Sequence, residues 1–134
     1  MNINDQLNYW LESAEHDLDT ADSLFYSEKY DWCLFMGHLV LEKALKAVYV
    51  LNIMLILPPR THNLVRLVHE SSLEMDQETL VWLDRVNDFH IEARYPDYKR
   101  EFYKICTRDF ALHHLEKIKE MFSWLKSHLK SGPL

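Results

Sequence analysis

Leu7, Leu11, Ala14, Leu18, Ala21 and Phe25 recur at alternating steps of four and three. That spacing puts them on one stripe of an α-helix and predicts a helix from about Asn4 to Phe25. Ser27 to Asp31 breaks the stripe, and from Asp31 to Leu51 apolar residues cover most of the helical circumference. A helix that is hydrophobic nearly all round is enclosed by others, so this second helix belongs at the centre of a bundle. Asn52 to His62 reads as a loop, because Pro58 and Pro59 offer no N–H and bias their predecessors away from the helical region. Thr61 or Asn63 can cap a short third helix carrying Leu64, Leu67 and Val68. A fourth runs over Glu74–His90, with Asp76 as N-cap and Leu80, Leu83, Val86, Asn87 and His90 near one face. It ends near Arg94–Asp97, where Pro96 pushes Tyr95 into an extended conformation. Ala111, Leu115, Ile118, Phe122, Leu125 and Leu129 mark a last helix from about Arg108 to His128. The pattern predicts an all-α bundle of about five helices in one domain over residues 1–130, with a frayed tail at 131–134.

The polar positions add chemistry to this frame. His38, Glu42 and Lys46 step by four along one ridge of the central helix, with Lys43 beside them. The ridge reads equally well as a salt-bridged strip at the bundle edge and as a binding surface, since ionisable groups on an enclosed helix are costly unless paired. On the first helix Glu12, Glu15, Asp17, Asp19 and Asp22 form an acidic face. A solvated face is the better reading, because oxygen cages for divalent ions usually come from a wrapping loop and not from the outside of a straight helix.

Composition narrows the class. With only two Gly and four Pro in 134 residues, the chain lacks the turns of an all-β fold, and at 48% hydrophobic it is not a disordered one. The formal charge of -6 argues against a surface that grips nucleic acid all over. The charge is uneven, however. Residues 1–31 hold eight acids and one base, whereas residues 94–130 hold nine bases and five acids. Arg100, Lys104 and Arg108 share a ridge if their segment is helical, among Tyr95, Tyr98, Phe102 and Tyr103. Such interleaving suits phosphate contact with base stacking, although surface charges beside buried rings are the favoured reading of so small a cluster.

Cys33 and Cys106 have neither zinc nor disulfide-framework spacing, which points to a reducing compartment. The N-terminus has no signal-peptide pattern, and the apolar stretch Ala47–Pro59 is broken by Asn52 and falls short of the roughly 20 residues of a membrane span. A cytoplasmic protein, away from the membrane, is expected. No HExxH, GxGxxG, P-loop or GxSxG motif is present, and His113 and His114, as neighbours on one helix, diverge too far to share a metal. No metal and no cofactor is expected. Trp10, Trp32, Trp82 and Trp124 read as core or dimer interface.

Three segments in order carry a resemblance. His38–Ala47 with its Glu42-Lys43-Ala44-Leu45-Lys46-Ala47, then Pro59-Arg60-Thr61-His62-Asn63-Leu64, then Ala93-Arg94-Tyr95-Pro96-Asp97 are similar to the helix, loop and turn motifs of the HEPN domain family. The resemblance spans nearly the whole chain. It implies an up-and-down antiparallel bundle of the nucleotidyltransferase substrate-binding-subunit type, commonly a homodimer. It further implies a nucleotide- or RNA-phosphate-binding role beside a partner such as a small nucleotidyltransferase, in a toxin–antitoxin-like system. The family's ligand-facing positions fall on His38, Glu42, Lys43, Lys46, Arg60, His62, Arg94, Tyr95 and Asp97. Relatives often carry a Gln-Gln pair where this chain has His38-Leu39, so an amide contact is not carried over.

Ribonuclease members of the family resemble one another in an Arg, usually followed by a polar residue, with a His a turn or more further along, in the region of Arg94–Arg100. No His follows there in this chain. Arg85 before His90 and Arg108 before His113-His114 have suitable gaps, but a pattern this degenerate arises about once by chance in such a chain. Metal-independent cleavage needs a base for the 2'-hydroxyl proton and a cation on the phosphate. Arg94 is the choice for the cation and His62 or His90 for the base. The motif mismatch favours binding over catalysis. The alternatives are a metal-independent endoribonuclease toxin and a protein-interaction module without a small ligand.

Overall fold

The computed structural model describes residues 2–130. They form six helices: α1 (Ile3–Tyr26), α2 (Tyr30–Ile53), α3 (Leu64–Glu70), α4 (Gln77–Glu92), α5 (Pro96–Ile105) and α6 (Arg108–Lys130). The tail expected to fray, 131–134, lies outside the described residues. Four helices start where short polar side chains take up a free backbone donor, Thr107 before α6 accepting from the Phe110 N–H at 3.2 Å. Asn2 accepts from the Asp5 N–H at 2.9 Å, Asn63 from Arg66 at 3.2 Å and Asp76 from Thr79 at 2.7 Å. Because glycine is scarce, the left-handed positions that follow α1, α2 and α3 are taken by Glu28, Met54 and Ser72, with φ near 60°.

The near-continuous apolar run of α2 is explained by its place, for it contacts each of the other five helices. Its residues Leu34, Leu41, Leu45 and Val48 are fully buried. Gly37 lets α6 come close: a Cβ built there would lie 2.5 Å from Ile118 Cδ1.

Two expectations are corrected. The bundle has a sixth helix, α5, in the segment after Tyr95 that the sequence placed in a turn and left open as helical. Pro96 occupies the first helical turn, where its missing N–H costs nothing, so the residue that ends α4 also starts α5. Tyr98, Phe102 and Ile105 follow a helical period there, but the helix is short and buries only Phe102, so Pro96 read as a stop and not as a start. Since α5 stops at Ile105, Arg108 does not continue the Arg100–Lys104 ridge; it begins α6 and lies 5.5 Å from the Phe25 ring centre. The acidic face of α1 is also not wholly solvated. Asp17 is buried and pairs with Lys43 of α2 at 2.6 Å, and Asp22 pairs with Lys119 of α6 at 2.7 Å. Glu12 and Asp19 remain exposed.

Candidate functional site

The i,i+4 ridge of α2 sets His38, Glu42 and Lys46 one above another, and the loop before α3 brings His62 against them. Glu42 is buried and accepts on both oxygens: Oε2 from Lys46 Nζ at 3.0 Å and Oε1 from His62 Nδ1 at 2.8 Å. Burial alone would raise the Glu42 carboxyl, but the His62 hydrogen bond and the Lys46 charge outweigh it and hold the group below its ordinary range. An ionised carboxylate can only accept, so the proton between them sits on His62 Nδ1. The His62 side chain is 65% exposed, and its Nε2 bonds to no described residue.

His38 is wholly buried. Its Nε2 lies 2.7 Å from the carbonyl oxygen of His62, and a carbonyl requires a donor, so Nε2 carries the proton. Burial pushes the His38 imidazole down to about 4, which keeps it neutral near pH 7 and leaves Nδ1 a lone pair without a hydrogen bond, 3.9 Å from Glu42 Oε1. His62 is therefore held at two points by residues one helical turn apart, its backbone by His38 and its ring by Glu42.

From α4, His90 completes the wall. Its ring stacks on His62 at 4.5 Å between centres and on Phe35 at 5.4 Å. Arg94, one turn further, donates through Nε to the His90 carbonyl at 2.9 Å and through Nη2 to His90 Nδ1 at 3.2 Å. Burial, together with the charges of its neighbours, lowers the His90 imidazole to about 4, so it accepts from Arg94 as a neutral ring. The Arg94 guanidinium also lies over Phe35 and Tyr95, at 5.5 and 5.2 Å from the ring centres, and its Nη1 bonds to no described residue.

Thus the structure brings Glu42, Lys46, His62, His90 and Arg94 together, with Tyr95 at the edge and His38 beneath. The remaining candidates lie apart from this group. Lys43 points across to Asp17. Arg60 is exposed in the loop, and Asp97 is exposed in the first turn of α5, where a carboxylate complements the helix dipole. The Arg/His pairs of suitable spacing do not converge either. Arg85 bonds Glu92 at 3.2 Å, and His114 accepts from the Trp82 indole N–H at 3.1 Å.

Two contributors escaped sequence reasoning. Asn87 of α4 accepts from the Leu64 N–H at 2.9 Å and donates to Asn63 at 3.1 Å, clamping the residues that follow His62. A lone Asn on an apolar stripe was the available signal. Phe35, the platform beneath His90 and Arg94, had none, since it looked like any other core residue. Among the described residues no three His, Cys, Asp or Glu side chains are placed to hold a metal ion, and no helix is long and apolar enough to cross a membrane.

Comparison with known proteins bears on the fold and the family. The HEPN domain model matches residues 7–128 of this sequence. The crystal structure of TT1696 from Thermus thermophilus is similar, with a TM-score of 0.76 over 95% of this chain and 98% of that one, at 21% identity. At that identity the likeness concerns the fold. No curated protein matches the sequence.

Proposed function

Because the chain belongs to the HEPN domain family, we propose that it binds the phosphate of a nucleotide or RNA at the His62–His90–Arg94 wall. One observation carries this reading. An exposed imidazole is fixed at both its backbone and its ring, beside an arginine whose Nη1 is uncommitted. Arg offers a rigid fork to phosphate oxygens, and groups held in advance lose little freedom on binding. The stacked rings of His62, His90 and Phe35, with half-exposed Tyr95, give a base a surface to lie against. In the cell the protein would act as a homodimer with a small nucleotidyltransferase, as a toxin–antitoxin-like pair.

The test is fluorescence anisotropy with a labelled single-stranded RNA, with mononucleotides as competitors. Saturable binding that weakens about tenfold or more in Arg94→Ala is expected, since a lost charged hydrogen bond is worth roughly 1.5–3 kcal/mol. Equal binding by the variant removes the proposed site.

A second reading draws on the Glu42–His62 pair. With Nδ1 protonated and bonded to a carboxylate, Nε2 is left to accept a proton, which is how a carboxylate prepares a histidine to act as a general base. In this reading His62 Nε2 takes the 2'-hydroxyl proton, the 2'-oxygen bonds to phosphorus as the bond from phosphorus to the 5'-oxygen breaks, the 5'-oxygen takes a proton from water, and Arg94 holds the phosphate charge. Cleavage of RNA in EDTA that His62→Ala abolishes supports it; cleavage that survives the substitution rejects it.

A further inference from the structure

At the other end of α4 a groove opens against α6. It consists of two adjoining hollows of about 350 and 320 Å³ that share Asp76, Thr79 and Met121. Its apolar surface comes from Met75, Trp82, Met121 and Trp124, of which Trp124 is 40% exposed. Methionine and tryptophan accommodate varied apolar side chains. The Trp82 indole is fixed through its bond to His114.

The charges around the groove select what it can take. Glu74, Glu78 and Glu120 line it, exposed and without an ion pair among the described residues. Asp76 is spent on capping Thr79. The one base, Lys117, lies over Trp82 at 4.8 Å from the ring centre, so this indole face already receives an ammonium group. Acidic walls around an apolar floor repel phosphates and anionic lipid and attract cations.

We propose that this groove docks a short segment of a partner protein in which apolar residues alternate with Lys or Arg. The apolar side chains fill the Met75–Trp124 and Trp82–Met121 hollows, and the basic ones reach Glu78 and Glu120. The surface is separate from the phosphate site: Trp82, the lining residue of α4 nearest to it, precedes His90 by eight residues, just over two helical turns.

The experiment uses the ¹⁵N-labelled full chain and an acetylated heptapeptide of alternating lysine and leucine, read by the indole N–H signals in NMR. The Trp82 and Trp124 signals are expected to move saturably while those of Trp10 and Trp32 stay. The double variant Glu78→Lys, Glu120→Lys should weaken binding about tenfold or more, as like charges across an interface do. Reversal at Glu12 and Asp19, exposed on α1, should leave it unchanged, and a glutamate–leucine peptide should not bind. Unchanged signals elsewhere in each spectrum show that the variant is folded. Absence of shifts at Trp82 and Trp124, equal weakening by the α1 reversal, or binding of the acidic peptide would overturn the proposal.

Discussion

The interval of four residues that sets His38 one turn before Glu42 also sets the two points at which His62 is held. That ridge was legible in the sequence because its three polar residues interrupt an apolar helix. Its meaning was not, because the pairing joins Glu42 to a residue 20 positions away in a loop, and no periodicity reports such a contact. The two readings of the ridge turn out not to exclude one another: Glu42 is salt-bridged to Lys46 and orients an exposed ring at once. His38 acts as a positioning residue, buried beneath the wall. Its Nε2–H can be replaced by a glutamine amide but not by leucine. His38→Leu should lose about 1 kcal/mol of stability with the hydrogen bond, and the His62 ring signals in NMR should broaden or shift as its backbone is released. His38→Gln should restore both. If glutamine and leucine behave alike, the hydrogen bond to the His62 carbonyl does not position the ring.

Among the elements, the long amphipathic helices α1, α4 and α6 were legible because one face of each meets the core, and α2 because it meets core on nearly every face. α5 was not, although Tyr98, Phe102 and Ile105 keep a helical period: it is only ten residues long, it starts on the proline that read as a stop, and of its residues only Phe102 is buried. The two helices α2 and α6 come close at Gly37, where an added methyl would collide with Ile118 Cδ1. The other Ile118 atoms lie 3.7 Å or more away, at ordinary contact. Gly37→Ala gains up to about 1 kcal/mol in helix propensity but overpacks a fully buried isoleucine, at a cost of about 1–3 kcal/mol. Ile118→Val removes the colliding atom. The double variant should therefore be more stable than the sum of the two single changes predicts, by about 1 kcal/mol in denaturant melts. Additivity of the two changes would mean that α6 yields freely at this point.

For the whole molecule, the net charge of -6 conceals an internal arrangement. The acidic α1 is tied to bases on α2 and α6 through Asp17–Lys43 and Asp22–Lys119, so part of the N-terminal surplus is neutralised within the fold. The three buried histidines, His38, His90 and His114, are each lowered to about 4 from an ordinary 6.5, first by burial. An unfolded chain takes up protons on them below about pH 6.5, whereas the native one resists until about pH 4. Stability should thus hold above pH 6.5 and fall as the pH drops through that window. Glu42, held ionised in the fold, adds to the loss at the acid end. Urea midpoints across a pH series check this, and a midpoint that stays flat or rises on acidification contradicts it.

The proposed phosphate site makes the sharpest demand on the molecule, that His62, His90 and Arg94 answer a ligand together. Titrating the ¹⁵N-labelled protein with a short 5'-phosphorylated single-stranded RNA, and following histidine ring and arginine Nε signals by NMR, reads all three at once. The account predicts saturable shifts at His62, His90 and Arg94, with His114, bonded to Trp82 away from the wall, unmoved. Shifts confined to other residues, or none that saturate, would contradict it.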